Sequence, residues 1–68
     1  MSNQEINTPD RLIRLPEVTQ LVGFKRSSIY AMAHTGTFPR PVKIGKRQVA
    51  WSERAVRAWI TSRLQGAA

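Results

Sequence analysis

Glycine and proline cut this chain into short pieces, and that punctuation limits its fold more than any other feature. Gly23 and Gly36 each close a stretch with helical spacing, and Pro39 and Pro41 forbid helix across residues 38–41. Gly45 falls between two runs of alternating apolar and polar residues. Pieces this short, in 68 residues, build one domain at most. A domain of that size buries only about 60% of the surface its unfolded chain exposes, so it is marginal without a disulfide, a metal or a partner. The sequence has no cysteine and a single histidine, His34, among scattered carboxylates, which leaves no disulfide and no zinc site. What remains is good packing, or a partner that binds only the folded form.

The spacing predicts three helices and a hairpin. Residues 1–10 are polar and read as a disordered tail, residues 11–65 as the folded domain, and residues 66–68 as a disordered C-terminus. Arg11-Leu12-Ile13-Arg14-Leu15 is a short extended lead-in, a candidate lone strand that pairs with something later in the chain. Pro16 suits the first helical position, and Glu17 suits the positive end of the helix dipole. Val18, Leu21 and Val22 make the apolar stripe of that first helix. Phe24 is expected to pack under the turn. A second helix starts near Lys25 or Arg26, buries Ile29, Met32 and Ala33, and stops at Gly36. Two short helices about a glycine turn are a helix-turn-helix. Val42-Lys43-Ile44 and Gln48-Val49-Ala50-Trp51 form the hairpin. Val42 and Ile44 share a face with Val49 and Trp51 only if the loop is even, either a Gly45-Lys46 type II′ turn or a four-residue loop. Ser52 caps a third helix whose stripe is Val56, Trp59, Ile60 and Leu64. Trp51 and Trp59 both fall on apolar stripes and read as core anchors.

Charge points to a class of partner. The chain carries 11 Lys and Arg against 4 Asp and Glu, a net charge of +7. Lys25, Arg26, Arg40, Lys43, Lys46 and Arg47 follow one another with no acid between them. Cations so crowded favour a polyanion beside them. The first ten residues lack the apolar run of a signal peptide, and no stretch approaches the roughly 20 apolar residues of a membrane span, so the expected compartment is the cytoplasm.

The order of these pieces is specific. Arg11-Leu12-Ile13-Arg14-Leu15-Pro16-Glu17-Val18, then Gly23-Phe24-Lys25-Arg26-Ser27-Ser28-Ile29-Tyr30, then Phe38-Pro39-Arg40-Pro41-Val42-Lys43-Ile44-Gly45 through Val49-Ala50-Trp51 together resemble the AlpA family of prophage regulators and excisionases. The resemblance implies a mainly α fold with a small β-hairpin: a winged helix-turn-helix of the MerR/excisionase type, with three helices and a two-stranded wing. It also implies that the second helix enters the major groove of double-stranded DNA while the hairpin reaches the neighbouring minor groove or backbone. The residues agree. Arg26, Ser27 and Tyr30 lie on the outer face near the helix start, where such motifs meet base edges. Arg26 can read guanine bidentately, and Ser27, Ser28 and Tyr30 can donate to phosphates. Lys43, Lys46 and Arg47 suit phosphate contact, and Arg47 also suits a narrow minor groove. The family usually has serine where Lys25 stands, so either Ser27 or Ser28 caps this helix from a later start, or a DNA phosphate occupies its end.

Other classes fit less well. Ser27 and His34 share a helical face, but seven residues at 1.5 Å separate them by about 10 Å, too far for a nucleophile and its base. No cofactor and no small-molecule substrate are expected. The basic side of the third helix lies opposite a stripe that the core needs, which argues against a membrane surface. Only Tyr30 offers an exposed aromatic for RNA. The serious rival is a protein-interaction module that binds an integrase or a polymerase subunit, with weak DNA binding and an exposed apolar patch. Within DNA binding, two roles share the same chemistry. One is control of a nearby promoter. The other is excision, in which copies bind repeated sites cooperatively, bend the DNA and direct a tyrosine integrase.

Overall fold

The computed structural model describes residues 10–66, in the order β1 (Leu12–Ile13), α1 (Leu15–Val22), α2 (Arg26–Thr35), β2 (Val42–Lys43), β3 (Val49–Ser52) and α3 (Glu53–Gly66). The expected tail, residues 1–9, and the last two residues, 67–68, lie outside that description. Asp10, grouped with the tail by composition, instead belongs with the folded part. Its carboxylate accepts from the Ser52 hydroxyl, the Arg54 N–H and the Arg11 N–H.

α1 and α2 form the helix-turn-helix. Leu15 and Pro16 open α1, and Gly23 closes it in the left-handed region at φ 80°, with its N–H on the Thr19 carbonyl. Gly36 closes α2 the same way at φ 87°. Both glycines sit where a side chain strains the backbone. Ser52 caps α3 as expected, accepting from the Ala55 N–H at 3.1 Å.

The lead-in does pair. β1 runs antiparallel to β3 (Leu12 opposite Ser52, Ile13 opposite Trp51), and β2 lies antiparallel on the other side (Val42 opposite Ala50, Lys43 opposite Val49). The wing is therefore part of a three-stranded sheet, ordered β1-β3-β2, rather than an isolated pair of strands. This register overturns the expected even loop. The Ile44 N–H reaches the Gln48 carbonyl at 2.9 Å, so Gly45, Lys46 and Arg47 form an odd, three-residue tip. Val42 and Ile44 consequently share a face with Ala50, not with Val49 and Trp51. The reason is β3's place as the middle strand. Trp51 faces the core, while Ala50, fully buried, faces the other way, opposite Val42 of β2 and on the same face as Ser52 and its β1 partner Leu12. Val42 and Ile44 are left 47% and 41% exposed.

The core joins every helix to the sheet through Ile13, Val18, Ile29, Phe38, Trp51 and Val56. Leu15, Leu21, Val22, Met32, Val49, Trp59 and Ile60 pack around it. Leu64, expected on the α3 stripe, is instead 73% exposed in the last turn of α3, on the rim of an open groove rather than in the core. Phe24 sits against the Trp59 ring, edge-on at 6.3 Å, with much of its surface still open. Both X–Pro bonds of the segment between α2 and β2 are trans.

Candidate nucleic-acid interface

Local sequence fixes how the second helix begins. Lys25 is its N-cap, extended at φ −71° and ψ 160°, and its carbonyl accepts the first helical bond, from Ile29 at 3.0 Å. No side chain caps this end. Ser27 and Ser28 therefore do not take over the role considered for them. Ser27 lies exposed in the first turn, and Ser28 is half-buried. The α1 N-cap is also a cation, Arg14, again with no side-chain acceptor. A positive side chain at the positive end of a helix is unfavourable by itself, and free backbone N–H groups there suit an anion.

These two helix starts and the wing border one open groove of about 610 Å³. Its polar lining is Arg14, Thr19, Lys25, Arg26, Tyr30 and Arg47, with Leu15, Pro16 and Val49 as the apolar part. Of the residues singled out from sequence, Lys25, Arg26, Tyr30 and Arg47 meet here. Ser27, Ser28, Lys43 and Lys46 do not line it. Lys46 stands exposed at the wing tip, and Lys43 lies exposed on the edge strand β2. Tyr30 is the hinge of this surface. Its ring rests 5.9 Å from that of Trp51, yet the residue is 43% exposed. On its far side a second depression is bordered by Tyr30, Ala33, His34, Arg40 and Pro41. A basic strip thus continues from the first groove past Tyr30.

Arg14 is the residue that sequence reasoning missed. It precedes a helix by one position, and no spacing rule says that the start of α1 will come up beside α2 and the wing. The available signal was weak: a cation at an N-cap, where serine, threonine or aspartate is usual.

The described acids lie elsewhere. Arg11 pairs with Glu17 at 2.6 Å and with Glu53 at 2.9 Å, and Arg57 pairs with Glu53 at 3.0 Å. The Arg11 guanidinium, followed by Arg57, holds the Glu53 carboxyl below the ordinary glutamate range. The Ser52 hydroxyl, followed by the Arg54 N–H, does the same for Asp10. None of these carboxylates lines the basic groove. Among the described residues there is no ion pair on Arg14, Lys25, Arg26, Arg40, Lys43, Lys46 or Arg47.

A separate, mostly apolar groove of about 370 Å³ is bordered by Leu21, Val22, Phe24, Met32, Trp59, Ile60, Arg63 and Leu64. The described residues contain no group of three or more His, Cys, Asp or Glu that could hold a metal, and no helix long and apolar enough to cross a membrane.

Comparison with known proteins gives a consistent picture. The family model described as prophage CP4-57 regulatory protein (AlpA) matches residues 11–64. The chain is 42% identical over 59 residues to the uncharacterized protein ORF88 of enterobacteria phage P4, covering 87% of this chain and 67% of that protein. It is 32% identical over 59 residues to the DNA-binding transcriptional activator AlpA of Escherichia coli strain K12, covering 78% of this chain and 84% of that protein.

Proposed function

Because the chain belongs to the AlpA family of prophage regulatory proteins, DNA-binding regulators rather than enzymes, we propose that it binds a specific duplex site in the DNA of a prophage or related mobile element. In this reading α2 lies in the major groove, and the wing meets the adjacent minor groove or backbone. One observation carries it: four cations from three separate parts of the chain, Arg14, Lys25 with Arg26, and Arg47, border one groove that none of the described acids lines. Folding them together costs repulsion that a phosphate backbone removes.

The roles follow from position. Arg26, in the first turn of α2, reads a guanine edge, where a bidentate contact is worth about 1–3 kcal/mol of discrimination. Ser27, Ser28 and the Tyr30 hydroxyl donate to phosphates and fix register. Lys25 and Arg14 hold phosphates at the two helix starts, Lys43 and Lys46 hold the backbone along the wing, and Arg47 enters the narrower groove. Acting on intracellular DNA, the protein works in the cytoplasm. The activator role in the name of the E. coli relative favours control of a promoter. Excision control would use the same DNA contacts, with further copies bound cooperatively on adjacent sites, bending the DNA and directing an integrase.

Competition between promoter-region, attachment-site and random duplexes tests the reading. Arg26→Ala is expected to weaken the natural site by about 5- to 150-fold, and random DNA far less. Arg14→Ala is expected to weaken all of them alike, as a phosphate contact does. Equal affinity of the unaltered protein for natural and random DNA would remove the claim of sequence specificity.

A further inference from the structure

We infer that Trp59 is a positioning residue for DNA binding, holding the segment between α2 and the wing so that helix and wing tip meet one duplex at a fixed separation. The inference rests on the DNA-binding reading above, and concerns a helix, α3, that carries none of the contacts assigned there.

α2 ends at Thr35 and β2 begins at Val42, so residues 36–41 are the direct covalent link between the recognition helix and the wing. Pro39 and Pro41 have no N–H to offer, and no helix or strand holds this stretch. Its first two residues are tied back to α2, with the Gly36 N–H on the Ala33 carbonyl and the Thr37 N–H on the Met32 carbonyl at 2.9 Å, and two indoles hold the chain from there on. Trp59 Nε1 donates to the Thr37 carbonyl at 2.7 Å, and Trp51 Nε1 donates to the Pro39 carbonyl at 2.9 Å. Between those carbonyls Phe38 is buried, with its ring edge-on to Trp59 at 4.8 Å and 70°. Trp51 is itself core and belongs to the wing sheet. Trp59 is half-buried, and its ring also meets Phe24 in the turn that precedes α2. It therefore touches the chain on both sides of the recognition helix.

Filling space there needs only a ring. The N–H goes to a carbonyl on an exposed residue, where water would serve nearly as well, so the bond adds little net stability. What it adds is direction: the Thr37 N–H already ties the exit to α2, and the Trp59 bond to the Thr37 carbonyl orients the peptide that leads on through Phe38, and hence where the wing stands.

A double-mutant cycle between Trp59→Phe and the pair Lys46→Ala/Arg47→Ala separates positioning from plain structural support. It is read by fluorescence anisotropy on a mixed-sequence duplex of about three helical turns, with thermal melts alongside. With the wing charges present, Trp59→Phe is expected to weaken binding about fivefold, and without them less than about twofold, while the folded state persists at 25 °C. Should Trp59→Phe unfold, benzothienylalanine at position 59, which replaces only the N–H by sulfur, carries the same cycle. Equal penalties in both wing backgrounds, or no penalty in either, would overturn the positioning role and leave the DNA reading intact. An unaltered protein with no affinity for duplex would overturn both.

Discussion

At the start of α3, one hydroxyl serves two partners. Ser52 accepts from the Ala55 N–H and donates to the Asp10 carboxylate, which in turn accepts from the Arg54 N–H. Ser52→Ala removes the side-chain cap and the Asp10 anchor together, and is expected to lower stability by about 1 kcal/mol or somewhat more in denaturant titrations. The pH dependence has a definite sign. Asp10 and Glu53 have folded pKa values below their ordinary ones, so the unfolded chain binds those protons more readily. Their stabilisation is complete above the ordinary carboxylate range, about pH 4, and is lost as pH falls through the lowered folded values. Melts between neutral pH and pH 2 should show stability declining from about pH 4 downward. Asp10→Asn should flatten part of that decline, and an unchanged acid profile in this variant would contradict the role given to Asp10. Ser52 as a cap is legible in sequence because capping is local. Asp10 is not, since the partners that tie it to α3 lie 42 and 44 positions away.

At the scale of elements, the two glycines that close helices do different work from the one at the wing tip. Gly36 sits at φ 87° with open space where a Cβ would be, so Gly36→Ala meets a conformational cost alone. That cost is about 1–2 kcal/mol, a fall in melting temperature of about 4–8 °C for each kcal/mol. Gly23, at φ 80° with the same open space, should behave alike. Gly45 has no such angle, and a Cβ there would meet only the flexible end of Gln48, at 3.2 Å. Gly45→Ala is therefore expected to stay within about 0.5 kcal/mol of the unaltered protein, whereas a type II′ turn would penalise it clearly. The helices were readable because their apolar stripes and glycine stops are properties of a few consecutive residues. The wing register was not. Alternation places residues on two faces but does not say which face is the core, and in β3 both Ala50 and Trp51 are buried because strands flank it on both sides.

Across the whole molecule, the charges are sorted. The described acids are tied to Arg11, Arg57 and the start of α3, while the cations of the helix starts and the wing have no partner among them. The surface pairs themselves contribute little to stability. Their larger consequence is that the basic strip stays uncompensated along Arg14, Lys25, Arg26 and Arg47, past Tyr30 and on to Arg40. Most of that strip could be foreseen, because four of its five cations, Lys25, Arg26, Arg40 and Arg47, fall in one acid-free stretch of the sequence. Arg14 could not, since only the packing of α1 against α2 and β3 brings it there. The most direct test of this account is the salt dependence of duplex affinity, measured by fluorescence anisotropy. If four to six phosphates are neutralised, log affinity should fall against log salt with a slope of about −4 to −5, and Arg14→Ala should reduce the slope by about one. A flat response, with no duplex bound even at low salt, would contradict the account and assign the basic groove to an acidic protein partner.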